Sequence, residues 1–324
     1  MEAMPSKRPS RSLSVTAERS LEELLEPRIA VERHFAQLGR TYRHGKLHRF
    51  FEMYVTRPVL RNGLQLAGLY ERGKRNALNP ELRTVPMYFD GLPDEYDGFQ
   101  ILHLSDFHID GTDGLTEVLA ERLSELRPDL CVFTGDYRFE DRGPCDAVYP
   151  RMRSIVSSIR ARHGIFGILG NHDAGEIAYQ LEDMGVQMLV NEFAEINQGG
   201  ESLWLAGVDD NFDYGTHDLE KALSSVPSDG FKILLAHAPE LYDAAADKGI
   251  DLYLAGHTHA GQIRVPVLGA LKHNARCPRA YIHGHWRHRG MQGYTSAGIG
   301  CSSLPIRYNC RPEIVLVELR RGQP

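Results

Sequence analysis

Five short polar clusters, each standing where an apolar run stops, constrain this chain more than anything else in it. They are Ser105-Asp106-Phe107-His108, Gly135-Asp136, Gly170-Asn171-His172-Asp173, Ala236-His237-Ala238-Pro239 and Gly256-His257-Thr258-His259. Between them they supply the carboxylates of Asp106 and Asp136, the amide oxygen of Asn171 and the imidazoles of His108, His172, His237, His257 and His259. Nitrogen and oxygen donors in that number suit two adjacent divalent metals, with one histidine left over for a substrate. Any fold that uses them together must gather about 150 positions of sequence to one point.

The runs between the clusters show how that can happen. Apolar runs of strand length fall at 99–104, 130–134, 165–169, 188–190, 203–208, 232–236, 252–255, 294–296 and 314–318. Helical patterns fall at 115–126, 149–162, 176–184, 219–224 and 241–248. Strands alternating with helices predict an α/β body. Each cluster follows directly on a strand, and in open α/β sheets ligands collect beyond the carboxyl ends of the strands. No internal repeat is present.

The front of the chain has a different texture. Residues 1–20 are rich in Ser, Arg and Pro and read as disordered. From 21 to about 76 the pattern is helical, with Phe50, Phe51, Tyr54 and Val55 in one stripe that Leu60, Leu64 and Leu66 continue beyond Pro58. Charge divides the same way. Residues 1–84 carry 16 Lys+Arg against 9 Asp+Glu, a net of +7, and residues 85–324 carry 21 against 34, a net of -13. A basic amphipathic extension over 21–84 on an acidic catalytic domain over 85–324 predicts contact with an anionic surface, a membrane above all. The alternatives are a solvated helical face or docking on the catalytic body. No stretch approaches the roughly 20 apolar residues of a spanning helix, and the first residues lack the apolar region of a secretory signal. Five cysteines without CxxC spacing fit a reducing compartment. The expectation is a cytoplasmic protein, peripheral on the inner face of the membrane.

Singly, each cluster is weak: Gly-Asn-His-Asp alone could be a turn, and a lone His is usually structural. Jointly and in this order they are specific. On these motifs the chain resembles the calcineurin-like metallophosphoesterases, over about residues 91 to 318. The run Gly256-His257-Thr258-His259-Ala260-Gly261-Gln262-Ile263, with Ser296-Ala297-Gly298-Ile299-Gly300, Leu304-Pro305-Ile306-Arg307 and Pro312-Glu313-Ile314, also resembles a bacterial subgroup of membrane-associated phosphodiesterases. That subgroup includes UDP-2,3-diacylglucosamine diphosphatases of lipid A synthesis. The resemblance implies a four-layer α/β/β/α sandwich with its site at the strand ends. It further implies that Asp106, His108 and His259 hold one metal, that Asn171, His237 and His257 hold the other, and that Asp136 bridges them. His172 would reach the phosphate and stabilise or protonate the leaving oxygen; Asp173 would orient His172 or cap the following helix. Nitrogen and oxygen donors without thiolate favour manganese, then iron or zinc.

The substrate is bounded less tightly. Phosphoprotein phosphatases of that superfamily carry Gly-Asp-x-x-Asp-Arg-Gly, whereas Asp141-Arg142-Gly143 follows Gly135-Asp136 two residues too late here. They also place Arg or Glu-Arg after the Asn-His pair, where this chain has Asp173-Ala174. Arg138 is either a phosphate contact or a solvated loop residue. Over 272–289, His273, His283, His285 and His288 lie among Arg276, Arg279, Arg287 and Arg289, giving either a basic rim for a diphosphate or nucleotide, or a solvated loop. His103, inside the first strand, reads as core. The expected reaction is two-metal hydrolysis of a phosphodiester or pyrophosphate bond in a phosphate-containing small molecule or a lipid-linked substrate. A nuclease is the rival enzyme, but the acidic body lacks aromatics interleaved with basic residues, so no nucleic acid is expected. A non-catalytic scaffold is disfavoured because every ligand type is present.

Overall fold

Two six-stranded sheets, stacked face to face, carry the architecture. The computed structural model describes residues 20–38, 52–270 and 273–323. The expected disorder of 1–20 therefore falls, except for Ser20, outside the described residues, as do Phe50 and Phe51 of the predicted stripe.

The first sheet contains β1 (Glu81–Phe89), β2 (Gln100–Leu104), β3 (Leu130–Phe133), β4 (Ile165–Gly167), β5 (Val186–Met188) and β14 (Glu313–Arg321), in the order β1-β14-β2-β3-β4-β5. Strands β2 to β5 run parallel, and β14 is antiparallel to β2. The second contains β6 (Glu192–Gln198), β7 (Glu201–Gly207), β8 (Phe231–Leu235), β9 (Leu252–Ala255), β12 (Gly284–His288) and β13 (Met291–Thr295), in the order β12-β13-β9-β8-β7-β6. Its inner strands β7, β8, β9 and β13 are parallel. A two-stranded ribbon, β10 (Arg264–Val265) and β11 (Gly269–Ala270), projects after the last cluster.

The layers follow from side-chain alternation along the strands. Ile101, Leu130, Val132 and Phe166 point between the sheets, onto Leu205, Ile233, Leu235, Leu252 and Leu254. Leu102, Leu104, Cys131 and Phe133 point outward, onto helices α1 (Leu21–Leu38), α4 (Leu115–Ser124), α5 (Val148–Ser158) and α6 (Glu176–Asp183). On the far side Leu234, Ala236 and Tyr253 meet α7 (Leu219–Ala222) and α8 (Tyr242–Asp247). The result is the expected four-layer α/β/β/α sandwich with an N-terminal helix. Because central strands are covered on both faces, they read as unbroken apolar runs, which is why they are visible in the sequence.

Within the two large sheets three strands escape that signal, as do both strands of the ribbon: β1, β6 and β12 are sheet edges, buried on one side at most and rich in polar residues. Pro86 within β1 is tolerated for the same reason, since an edge strand needs no hydrogen bond on its outer side. Helix α1 docks on the outer layer through Leu21 and Leu25. Helix α2 (Arg57–Leu66) buries no residue, while α3 (Tyr70–Ala77) joins a small cluster of Tyr70, Leu304 and Ile306. Among the described residues no helix is long and apolar enough to cross a membrane.

Candidate metal centre

The carboxyl ends of β2, β3 and β4 in one sheet, and of β8 and β9 in the other, open onto a common place. Backbone hydrogen bonds lace the loops: Asp106 N–H donates to the Gly135 carbonyl (3.0 Å), His108 N–H to Asp136 (3.0 Å), and Gly256 N–H to His237 (2.9 Å). Crowding there is severe. A Cβ at Gly170 would collide with Asp136, and one at Gly256 would collide with Ser105 Oγ and the Asp106 carboxylate. The backbone is strained in step: Asp106 (φ 52°), His108 (38°), Asp136 (58°), His257 (69°) and His259 (49°) are left-handed. Non-glycine residues hold such angles only where surroundings impose them, and they concentrate at functional sites.

The side chains converge into overlapping groups of donor atoms: Asp106, His108 and His259; His108, Asp136 and His172; and Asp136, His237 and His257, the atoms of each group within 4.8 Å of one another. Asp136 Oδ2 lies 3.5 Å from His108 Nε2 and 3.3 Å from His237 Nε2. His259 Nε2 is 3.4 Å from Asp106 Oδ1. Asn171 Oδ1 is 3.0 Å from His237 Nε2 and 2.9 Å from His257 Nδ1. Every sequence-predicted donor is thus in one pocket, and Asp136 joins its two halves.

Neighbouring groups fix which atoms face inward. A carbonyl can only accept, so His108 Nδ1–H donates to Arg138 O (2.8 Å) and His237 Nδ1–H to Thr134 O (2.7 Å). Each ring is thereby turned with Nε2 toward the pocket, the second-sphere pattern of metal-binding histidines. Asn171 Nδ2 donates to Asp213 Oδ2 (2.9 Å), which turns its oxygen inward. Ser105 Oγ donates to Asp106 Oδ2 (2.7 Å), and His172 N–H to Asp136 Oδ1 (2.8 Å).

Electrostatics favour a cation. Burial, reinforced by neighbouring cationic groups, pushes His108 and His257 down to about 3 and His259 well below its usual range, keeping these rings neutral lone-pair donors. Burial also pushes the Asp106 carboxyl up to about 6. It opposes ionisation of Asp136 as well, but His237 and His172 hold that carboxyl well below the ordinary range. Conversely, burial disfavours a charged His237, yet the carboxylates of Asp136, Asp106 and Asp210 push it up to about 10. Negative potential is concentrated on one small volume lined by the neutral imidazoles of His108, His257 and His259, and it holds a proton on His237 that a divalent cation would displace. That donor set fits divalent metal.

Some expected residues behave otherwise. The Asp173 carboxylate neither orients the His172 ring nor caps a helix: it accepts from the backbone N–H of Asp136, Tyr137 and Gly170, each at 2.8 Å. The Phe139 carbonyl takes the orienting place, accepting from His172 Nδ1 (2.7 Å). Arg138 is neither solvated nor extended toward a ligand; it is buried, donating to the carbonyls of His172, Asp141 (2.8 Å) and Gly143 (3.1 Å). His103 is a core residue, 2.9 Å from Thr134 Oγ1. In the 272–289 stretch, His283 meets Glu313 (2.8 Å), His285 meets Gln292 (2.9 Å) and His288 meets Asp243 (2.7 Å). Arg276 differs, lying over the Phe212 ring at 4.9 Å, and that ring packs against His257 at 4.1 Å. Asp213 carries no sequence signal, and Arg307 stands only within the Leu304-Pro305-Ile306-Arg307 run with no role assigned; it is fully buried, and its guanidinium donates to the carbonyls of Ala297 (2.7 Å), Gly298 and Gly300 behind His259.

Residues 99–261 match the family model of the calcineurin-like phosphoesterases. The chain is also 30% identical over 242 residues to the metallophosphoesterase YkuE of Bacillus subtilis, covering 71% of this chain and 82% of that one. It belongs to the calcineurin-like phosphoesterase family. Phosphodiesterase YaeI of Escherichia coli is 28% identical, over 68% of this chain and 82% of its own length. A Danio rerio transmembrane protein with a metallophosphoesterase domain is 29% identical, and the match spans 58% of that longer protein. This calcineurin-like phosphoesterase is thus a metal-dependent phosphoric ester hydrolase, and the candidate donor clusters lie within the matched residues.

Proposed function

We propose that this calcineurin-like phosphoesterase hydrolyses a phosphodiester or pyrophosphate bond at a two-metal centre. Asp106, His108 and His259 hold one ion, Asn171, His237 and His257 hold the other, and Asp136 is shared. The observation that carries the reading is the position of Asp136, within 3.5 Å of His108 on one side and 3.3 Å of His237 on the other. When bound, the pair of divalent ions supplies positive charge for the phosphate and a water made nucleophilic at neutral pH. The chain's own groups do the rest. His172, held through Nδ1 by the Phe139 carbonyl, presents Nε2 to donate a proton to the leaving oxygen. Arg276, above Phe212, supplies a cation beside the pocket for a second anionic group of the substrate. Manganese is the metal proposed first, with iron or zinc as alternatives, on the nitrogen and oxygen donor set. Turnover of bis(p-nitrophenyl) phosphate after loading with manganese is the test; inactivity with manganese, iron and zinc alike overturns the reading.

The finer proposal is a lipid-linked or nucleotide-linked substrate, UDP-2,3-diacylglucosamine above all, met at the membrane's inner face by a cytoplasmic protein that takes no nucleic acid. Its support is the resemblance of the motifs from Gly256 onward, together with surface chemistry. Val59 (66% exposed) and Leu66 (91%) on α2, and Val267 and Leu268 at the ribbon tip, are exposed apolar residues. Arg72, Arg83, Arg264 and Arg311 line a cavity of about 360 Å³ beside the ribbon. Apolar residues beside clustered arginines suit an anionic lipid surface. Release of UMP from UDP-2,3-diacylglucosamine tests it, and inactivity there alongside turnover of other diesters removes it.

A further inference from the structure

The loop that carries Asn171 and His172 is gripped from outside by a helix containing none of the five motifs. Helix α1 lies upstream of the segment matched by the family model, which begins at residue 99. One turn beyond Leu25, Arg28 is fully buried. Its guanidinium donates to the carbonyl of Gly170 (2.5 Å), the carbonyl of Asp173 (2.7 Å) and Asp209 Oδ1 (2.5 Å), with the Tyr214 ring 4.0 Å away. One turn further, Glu32 Oε1 accepts from the Gly175 N–H (2.8 Å) and lies 3.6 Å from Arg28 Nε. Two side chains four residues apart, on one helix face, therefore hold both ends of the segment from Gly170 to Gly175.

The same guanidinium reaches the second loop that positions Asn171. Asp209, its partner, adjoins Asp210, which accepts from the N–H groups of Phe212 (3.2 Å), Asp213 (2.7 Å) and Tyr214 (2.7 Å). Asp213 in turn holds the Asn171 amide. Arg28 thus joins the backbone that places Asn171 to the loop that orients its side chain. Docking a helix does not require this, because an apolar residue would fill such a space without the large cost of desolvating a guanidinium. A planar donor with five N–H groups is needed only if several acceptors must be held in fixed relation.

We infer that Arg28 and Glu32, on helix α1, are positioning residues that set the loop carrying Asn171 and His172. The catalytic half of this inference rests on the two-metal reading above; the structural half does not. In the full chain, Arg28→Met, Arg28→Lys, Glu32→Gln and Leu25→Ala are compared by hydrogen exchange, cobalt titration and steady-state kinetics. Leu25→Ala loosens the same helix without touching the loop. Arg28→Met is expected to speed exchange across 170–175 by about tenfold or more and to weaken one of two cobalt ions. It is also expected to lower kcat by about 100-fold with KM little changed, since small misplacements of reacting groups cost that much. Arg28→Lys should recover only part, because one ammonium cannot serve three acceptors. Leu25→Ala should lose melting temperature yet keep parental exchange in 170–175 and parental kcat. The inference is overturned if Arg28→Met matches Leu25→Ala in exchange and cobalt affinity. If Arg28→Met does not fold, Glu32→Gln decides: faster exchange at the Gly175 end supports the inference, and unchanged exchange overturns it. Should the parent turn over no phosphodiester, exchange and cobalt binding still judge the clamp.

Discussion

Asp173 shows how a carboxylate can serve an active site without meeting the substrate. It accepts three backbone N–H groups from two loops, and one of these belongs to Asp136. Asp173→Ala leaves three buried donors unpaired, at about 1–3 kcal/mol each. The expected result is a clear fall in melting temperature together with lost metal binding, read by thermal denaturation and elemental analysis. His172→Ala should behave in the opposite way, keeping both metals and most of the melting temperature while losing most turnover, because the proposed role of its ring is proton donation to the leaving oxygen rather than holding an ion. Asp213 makes a third kind of claim. Burial and the adjacent Asp210 push its carboxyl up to about 7, and it holds the Asn171 amide. Asp213→Leu frees that amide to turn, so affinity for one of two ions should fall by about 10- to 100-fold, as for other groups that orient ligands. Equal affinities in parent and variant would remove Asp213 from the centre.

At the scale of elements, the strand ends are built by close approach rather than by flexible loops. Gly256 opens the turn after β9 directly against Ser105 and Asp106 at the end of β2. Gly256→Ala must push the two sheets' loops apart, and lost metal binding with a retained far-ultraviolet spectrum is the expected reading. Helix α2 gives the contrary case. Val59 and Leu66 touch little, so Val59→Glu and Leu66→Glu should each change stability by no more than about 0.5 kcal/mol. If α2 lies on lipid, the pair should also abolish co-sedimentation with anionic vesicles; unchanged binding would end the membrane proposal for this helix.

Across the whole molecule, the centre joins the sheets. Asp106, Asp136 and Asn171 follow strands of one sheet, and His237, His257 and His259 follow strands of the other. Metal binding should therefore resist separation of the two layers and stabilise the folded state by linkage, by about 2.7 kcal/mol at a hundredfold excess over Kd. Manganese should raise the melting temperature of the parent and chelator should lower it, whereas Asp136→Ala should respond to neither. A parent that melts identically with and without manganese would contradict the bridging role.

Much of this was legible in residue order. The central strands announced themselves because both faces are covered, so their sequences are continuous apolar runs, and the polar clusters were marked by standing where those runs stop. The edge strands β1, β6 and β12 were not visible, since a one-sided strand rich in polar residues has no such run. Arg28 was invisible for another reason. Its acceptors lie 142 to 181 positions away, and nothing local distinguishes it from a solvated arginine on an amphipathic helix. For the histidines at 283, 285 and 288 the sequence left a substrate rim and a solvated loop both open, and packing gave them Glu313, Gln292 and Asp243 as partners. Residue type and periodicity fix which chemistry a chain holds and which segments become strands, because both are local properties. Which polar group meets which is set when distant segments pack, because each buried charge or donor must then find its partner among whatever the fold has brought within reach.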